Sequence, residues 1–128
     1  MAHHIKMPHD HGDIKNVLEA LPDRQTCDIM ASAFKQLGDA TRLQIFWLLC
    51  HSEQCVANIG AATEMSSPAV SHHLRCLKDA GLICGRREGK EVYYTLADTK
   101  EANLLHHFVD VILKTSCPGE MHDGGAGH

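Results

Sequence analysis

The stretch SSPAVSHHLRCLKDAGL, residues 66–82, sets His72, His73 and Cys76 inside one short helical pattern. All three side chains are good ligands for a transition-metal ion. Each residue advances a helix by about 100°, so the adjacent His72 and His73 splay apart and cannot hold one ion together. Cys76, four residues after His72, suits chelation, although that pair lies toward the outer face of the helix. A second group, His106, His107 and Asp110, has i,i+4 and i,i+3 spacings that can converge on one ion. Imidazole plus carboxylate suits Zn(II), Ni(II) or Co(II), and a thiolate such as Cys117, which follows with His122 in the tail, shifts preference toward softer ions. The competing reading is a solvated face with an Asp110–Lys114 ion pair. A third group lies at the N-terminus. With Met1 removed, the amine of Ala2, two amides and the His4 imidazole can wrap Ni(II) or Cu(II) in a square plane, with His9 and His11 assisting. A histidine-rich arm that binds metal weakly is the alternative there.

The elements that must position these groups belong to one domain, because 128 residues suffice for one core and not for two. Leu, Ile, Val and Phe supply 29 of them, above the level of a disordered chain. No apolar run approaches the ~20 residues that span a bilayer, and MAHHIKMPHDHGD lacks the apolar centre of a secretory signal. A cytoplasmic protein with no membrane partner is expected. The six cysteines (27, 50, 55, 76, 84, 117) include no Cys-x-x-Cys pair and are too irregular for a disulfide framework. No Gly-rich phosphate loop, Ser-His-Asp arrangement or His-Glu-x-x-His motif points to an enzyme.

The sequence predicts a mainly α fold with one β-hairpin. Residues 1–12 form a polar, His-rich arm, 13–116 the folded domain and 117–128 a tail. DIKNVLEALP reads as a short helix capped by Asp13 and stopped by Pro22. CDIMASAFKQLGD aligns Ile29, Met30, Ala33, Phe34 and Leu37 on one stripe ended by Gly38. Asp39 then caps ATRLQIFWLLCH, apolar on most sides and so the central buried helix. CVANIGAATEM is a shorter helix with Val56, Ile59 and Ala62 inward. Ser67 as cap and Pro68 at the first helical position start the next helix, and Ala80-Gly81 closes it. LICGRREGKEVYYTL reads as a hairpin with RREGK at its tip and Gly89 in the turn. Asp98 caps a last helix from about Thr99 to Thr115. Two helices joined by a tight turn, then a hairpin with a basic tip, describe a winged helix-turn-helix.

The net charge of −4 offers no global basic field, but residues 66–95 hold Arg75, Lys78, Arg86, Arg87 and Lys90 against Asp79, Glu88 and Glu91. A local basic surface on an acidic protein can bind phosphates, with strong salt dependence. With Val70, Leu74 and Leu77 inward, Ser71, His72, Arg75 and Asp79 fall on the outer face and His73 at the edge of the core. Ser67, Ser71, His72 and Arg75 are thus the expected contacts of a recognition helix in the major groove of operator DNA, with Arg86, Arg87 and Lys90 on phosphate or the minor groove. A winged helix that binds protein instead would tolerate loss of Arg75 and Arg87.

LGDATRLQIFWLL, EQCVANI, SSPAVSHHLRCLKDAGLI and RREGKEVYYTL resemble segments of the ArsR/SmtB family of bacterial repressors, over about residues 27–117. The resemblance implies a homodimer built through the first and last helices, which holds an operator when empty and releases it when an inducer binds. The surplus of Leu104, Leu105, Phe108, Val109, Val111, Ile112 and Leu113 on the last helix suits a partner helix.

The resemblance also implies several sensor positions. The family's Cys-Val-Cys is here Cys55-Val56-Ala57, leaving one thiolate, which Cys50 could supplement; burial as apolar filler is the alternative for Cys55. The family's zinc site begins Asp-x-His, but here Lys100 follows Asp98 in the His position, and Val111 and Lys114 stand at the later ones. An ammonium has no lone pair to offer, so that site is absent in its familiar form. The expected inducer is a transition-metal ion taken by His106, His107 and Asp110, with Cys117 or His4 as further ligands. The alternative is a repressor of the same fold switched by oxidation or persulfidation of Cys50, Cys55 and Cys117.

Overall fold

Alternating runs of helical and period-two hydrophobicity resolve, in a computed structural model, into six helices and three strands; the structure describes residues 6–9, 12 and 14–114. In chain order these are α1 (Lys15–Ala20), α2 (Arg24–Gln36), α3 (Ala40–His51), β1 (Gln54–Cys55), α4 (Val56–Thr63), α5 (Ser67–Asp79), β2 (Ile83–Glu88), β3 (Glu91–Leu96) and α6 (Lys100–Leu113). The winged helix-turn-helix predicted from the sequence is the fold observed. Among the described residues no helix is long and apolar enough to cross a membrane.

The most apolar helix, α3, is the axle of the core. Its Ile45, Phe46 and Leu49 are fully buried, and Ile59 of α4, Val70, Leu74 and Leu77 of α5, and Ala102, Leu105 and Val109 of α6 close around them. Asp39 caps α3 as expected, its Oδ2 accepting from the Arg42 amide at 3.0 Å.

Other helix starts move by one to three residues. α2 begins at Arg24, because Asp23 accepts from the Thr26 amide at 2.8 Å, a local bond between two polar residues that the apolar stripe does not register. Ser66, not Ser67, caps α5, accepting from the Ala69 amide at 3.3 Å, so Ser67 is the first helical residue. Thr99, not Asp98, caps α6; its Oγ1 accepts from the Ala102 amide at 3.1 Å and donates to the Gly81 carbonyl at 3.0 Å. That second bond ties the start of α6 to the end of α5. The cap position of α1 is Ile14, and Asp13 lies outside the described residues. Ala62, expected inward, is exposed on α4.

The wing is a three-stranded antiparallel sheet ordered β1-β3-β2. The two-residue strand β1, absent from the sequence reading, pairs Gln54 with Tyr94 and Cys55 with Tyr93. Arg86, Arg87 and Glu88, expected at the tip, extend β2 opposite Tyr93, Val92 and Glu91. Only Gly89 and Lys90 remain for the turn, and Gly89 takes φ +64°, which a side chain would disfavour.

Candidate nucleic-acid interface and histidine cluster

The turn between α4 and α5 is tight because Gly60 lets it be. A Cβ there would stand 2.8 Å from the Met65 carbonyl oxygen, and the Met65 amide closes back on the Gly60 carbonyl at 3.0 Å. This close approach aims α5 outward. Val70, Leu74 and Leu77 are buried beneath it, while Ser67, Ser71, His72, Arg75, Lys78 and Asp79 are exposed. The outer face expected from the sequence is the face observed. Arg75 has no hydrogen-bond or ion-pair partner among the described residues.

His73 sits at the edge, its side chain 12% exposed. Its Nδ1 accepts from Arg42 Nε at 3.2 Å, with Asp39 Oδ2 at 3.7 Å. Burial, then the neighbouring guanidinium of Arg42, holds this imidazole below its ordinary pKa, against a smaller opposing pull from Asp39. A neutral His73 thus pins α5 to the start of α3 through a residue distant in sequence. Cys76 Sγ lies 3.9 Å from His72 Nε2.

The basic residues of the wing divide into two kinds. Arg86 is engaged by two carboxylates: Nε and Nη2 donate to the two oxygens of Glu53 at 2.8 Å each, and Nη1 donates to Glu88 at 2.8 Å. Its guanidinium also lies 5.2 Å from the centre of the Tyr93 ring. These hydrogen bonds raise its pKa further and lower that of Glu53. Arg86 therefore holds the wing against the segment that follows α3, and its charge is already matched. Arg87 and Lys90 are exposed, and among the described residues Arg87 makes only a 3.5 Å bond to the Gly89 carbonyl.

On the far side, α6 brings His106 and Asp110 together, but the third member of the group is not His107. His107 is exposed. His51, the last residue of α3, takes its place: His51 Nε2 is 3.0 Å from Asp110 Oδ1, and His106 Nε2 is 3.0 Å from Asp110 Oδ2. The ligand atoms of the three lie within 4.8 Å of one another. The sequence offered no signal for His51, which pairs across 59 positions. His4, Cys117 and His122 lie outside the described residues. Among the described cysteines, Cys55 is buried in β1 and Cys50 is half-buried beside the core.

Large apolar side chains remain exposed on α1 (Val17), α2 (Ile29, Phe34) and α6 (Leu104, Phe108, Val111, Ile112, Leu113). Phe34 and Phe108 meet edge to face with ring centres 6.4 Å apart, so α2 and α6 share one apolar surface. It continues into a groove of about 460 Å³ bordered by Leu43, Trp47, Leu48 and Leu113.

Comparison with known proteins agrees with this architecture. The family described as "Bacterial regulatory protein, arsR family" matches residues 39–84, from the α3 cap to β2. A transcriptional repressor SmtB homolog of Synechocystis sp. is 42% identical over 81 residues, 63% of this chain and 61% of that protein. A cadmium resistance transcriptional regulatory protein CadC homolog of Staphylococcus aureus is 44% identical over 77 residues, 59% of this chain and 64% of that protein. The chain thus spans less than two thirds of the length of either relative. The solution structure of a homodimeric winged helix-turn-helix DNA-binding domain from Mycobacterium bovis, a possible ArsR-family regulator, has a TM-score of 0.63 at 32% identity, covering 84% of this chain and 97% of that one. By motif, fold and relatives together, the chain belongs to the ArsR family of bacterial regulatory proteins.

Proposed function

We propose that this chain is a homodimeric DNA-binding transcriptional repressor that releases its operator when a transition-metal ion binds. The observation that carries the DNA reading is the outer face of α5, where Ser71, His72 and the unengaged Arg75 project from a helix whose inner stripe is buried. Arg bidentate to guanine is the most discriminating contact such a helix can make in the major groove. In this reading Ser67 contacts phosphate at the helix start, Arg87 and Lys90 of the wing reach the backbone, and Arg86 holds the wing in place. The exposed apolar surface of α1, α2 and α6 is what a second copy would cover, setting two α5 helices in successive major grooves.

Metal as inducer is supported by the similarity to a cadmium resistance regulatory protein and by a mixed imidazole and carboxylate cluster in this chain. Operator and inducer then favour different dimer geometries, and each lowers the other's affinity by the same factor.

The test is fluorescence anisotropy at fixed salt in anaerobic reducing buffer, using a duplex selected from a random pool by the metal-free protein. Zn(II), Ni(II), Co(II), Cd(II) and Cu(I) are each titrated in. Tight binding followed by release with one of them is expected. Release by polysulfide or a mild oxidant alone would replace the metal with the thiols, and absence of any selected duplex would remove the DNA reading.

A further inference from the structure

We infer that His51, His106 and Asp110 form a site for a borderline divalent cation of the Zn(II) or Co(II) class, bridging the end of α3 to the middle of α6. The inference rests on the repressor reading above and names the groups through which an ion would act on it.

The carboxylate of Asp110 lies between two imidazoles, with His51 Nε2 and His106 Nε2 each 3.0 Å from one of its oxygens. The two rings stand edge to face, their centres 5.0 Å apart. His106 Nε2 is buried, yet despite its closeness to Asp110 it makes no aligned hydrogen bond, and His51 Nδ1 is likewise buried without a partner. The His51 side chain is only 3% exposed. A buried ring nitrogen left unsatisfied costs free energy that a cation at the cluster centre would offset for His106.

The donor set also selects the ion. Two imidazole nitrogens and one carboxylate are the ligands of borderline cations, and no thiolate is among the three, which disfavours Cu(I) and other soft ions. A pocket made only to bury apolar surface would have no use for three polar side chains drawn from two helices.

The position explains how occupancy reaches DNA. Helix α3 packs against α4, α5 and β3 as well as against α6, so it links the recognition helix and wing to α6. Helix α6 carries the apolar surface that would meet a second copy. Trp47 of α3 packs on His51 with ring centres 4.6 Å apart and borders the same groove as Leu113 of α6. An ion held by both helices fixes the angle between the DNA-reading body and the dimerising helix. That angle sets the spacing of two recognition helices, so the cation biases the element on which operator affinity depends.

The site is read on the full chain without DNA, by titrating Co(II) under anaerobic reducing conditions and following its visible ligand-field absorption, with Zn(II) as competitor. The wild-type chain is expected to take one ion per protomer. His106→Asn and His51→Asn should each weaken Co(II) by about 100-fold or more, since even the supporting residues of metal sites cost 10–100-fold. His107→Asn should bind as the wild type does. Because His51 is buried and its variant can lose stability, a second measurement uses the more exposed His106: Zn(II) should raise the thermal midpoint of wild type and His107→Asn, and not that of His106→Asn. Wild-type Co(II) affinity in His106→Asn, or an equal loss in His107→Asn, overturns the site, as does a wild-type chain that binds no Co(II). Operator binding of the metal-free variants is measured separately. Intact metal binding with no operator binding would sink the repressor reading and leave the site standing, whereas operator release in His106→Asn at wild-type Zn(II) would do the reverse.

Discussion

Helices α5 and α6 are nearly equal in length and bury similar stripes, Val70, Leu74 and Leu77 in one and Ala102, Leu105 and Val109 in the other. Their outer faces are opposites. Helix α5 presents Ser71, His72, Arg75, Lys78 and Asp79, whereas α6 presents Leu104, Phe108, Val111, Ile112 and Leu113, each 47–61% exposed. A polar face with an unengaged guanidinium is stable in water and ready for a polyanion. An apolar face of five large side chains on so small a domain calls for another protein surface. The contrast teaches that the inner stripes build the fold, while the outer faces divide two kinds of partner between them.

The largest effect should come from breaking the α6 face. Phe108→Asp with Ile112→Asp removes two side chains from each protomer, four across a symmetric dimer, worth about 1.5–3 kcal/mol each if fully buried, so association should weaken by about 10,000-fold or more. Sedimentation should show a monomer with the helical content of the wild type, and its operator affinity should fall with it. A dimer surviving this variant would place the interface elsewhere.

A smaller effect separates the two wing arginines. Arg87→Ala should weaken binding about equally on all sequences and lower the slope of log K against log salt by about one. Arg86→Ala should leave that slope near wild type and instead loosen the wing, seen as faster amide exchange in β2 and β3, because its guanidinium is already matched by Glu53 and Glu88. Equal salt slopes for the two variants would erase the distinction.

The smallest effect concerns how α5 is pinned. His73 has a lowered pKa in the fold, so the unfolded chain takes up its proton first as pH falls. Its contribution is therefore present above pH about 6.5, the ordinary imidazole value, and is lost as pH drops below that toward the folded value. Denaturant midpoints measured across this range should slope less in His73→Gln than in wild type.

The helices were legible because burial imposes a period on the chain. The outer face of α5 follows directly from apolar spacing, and the span of α3 from its Asp39 cap and the apolar run behind it. Cap positions were less so: Ser66-Ser67 and Asp98-Thr99 each offer two competent cap residues, and only the backbone angle decides which of them caps. Least legible were the tertiary polar pairs. His51 with Asp110, Arg42 with His73 and Arg86 with Glu53 lie 59, 31 and 33 positions apart, and no local pattern joins them. Spacing within α6 can propose only partners on that helix, such as His107, whereas the fold brings His51 of α3 beside His106 and Asp110.

The most direct test of the account is the affinity of Arg75→Ala for the selected duplex and for random DNA of equal length at one salt concentration. The α5 reading predicts a loss of about 1–3 kcal/mol on the selected duplex, near wild-type affinity on random DNA, and relaxed preference at one base pair. An equal loss on both would make Arg75 a phosphate contact, and no loss on either would contradict the assignment of α5 as the helix that reads the operator.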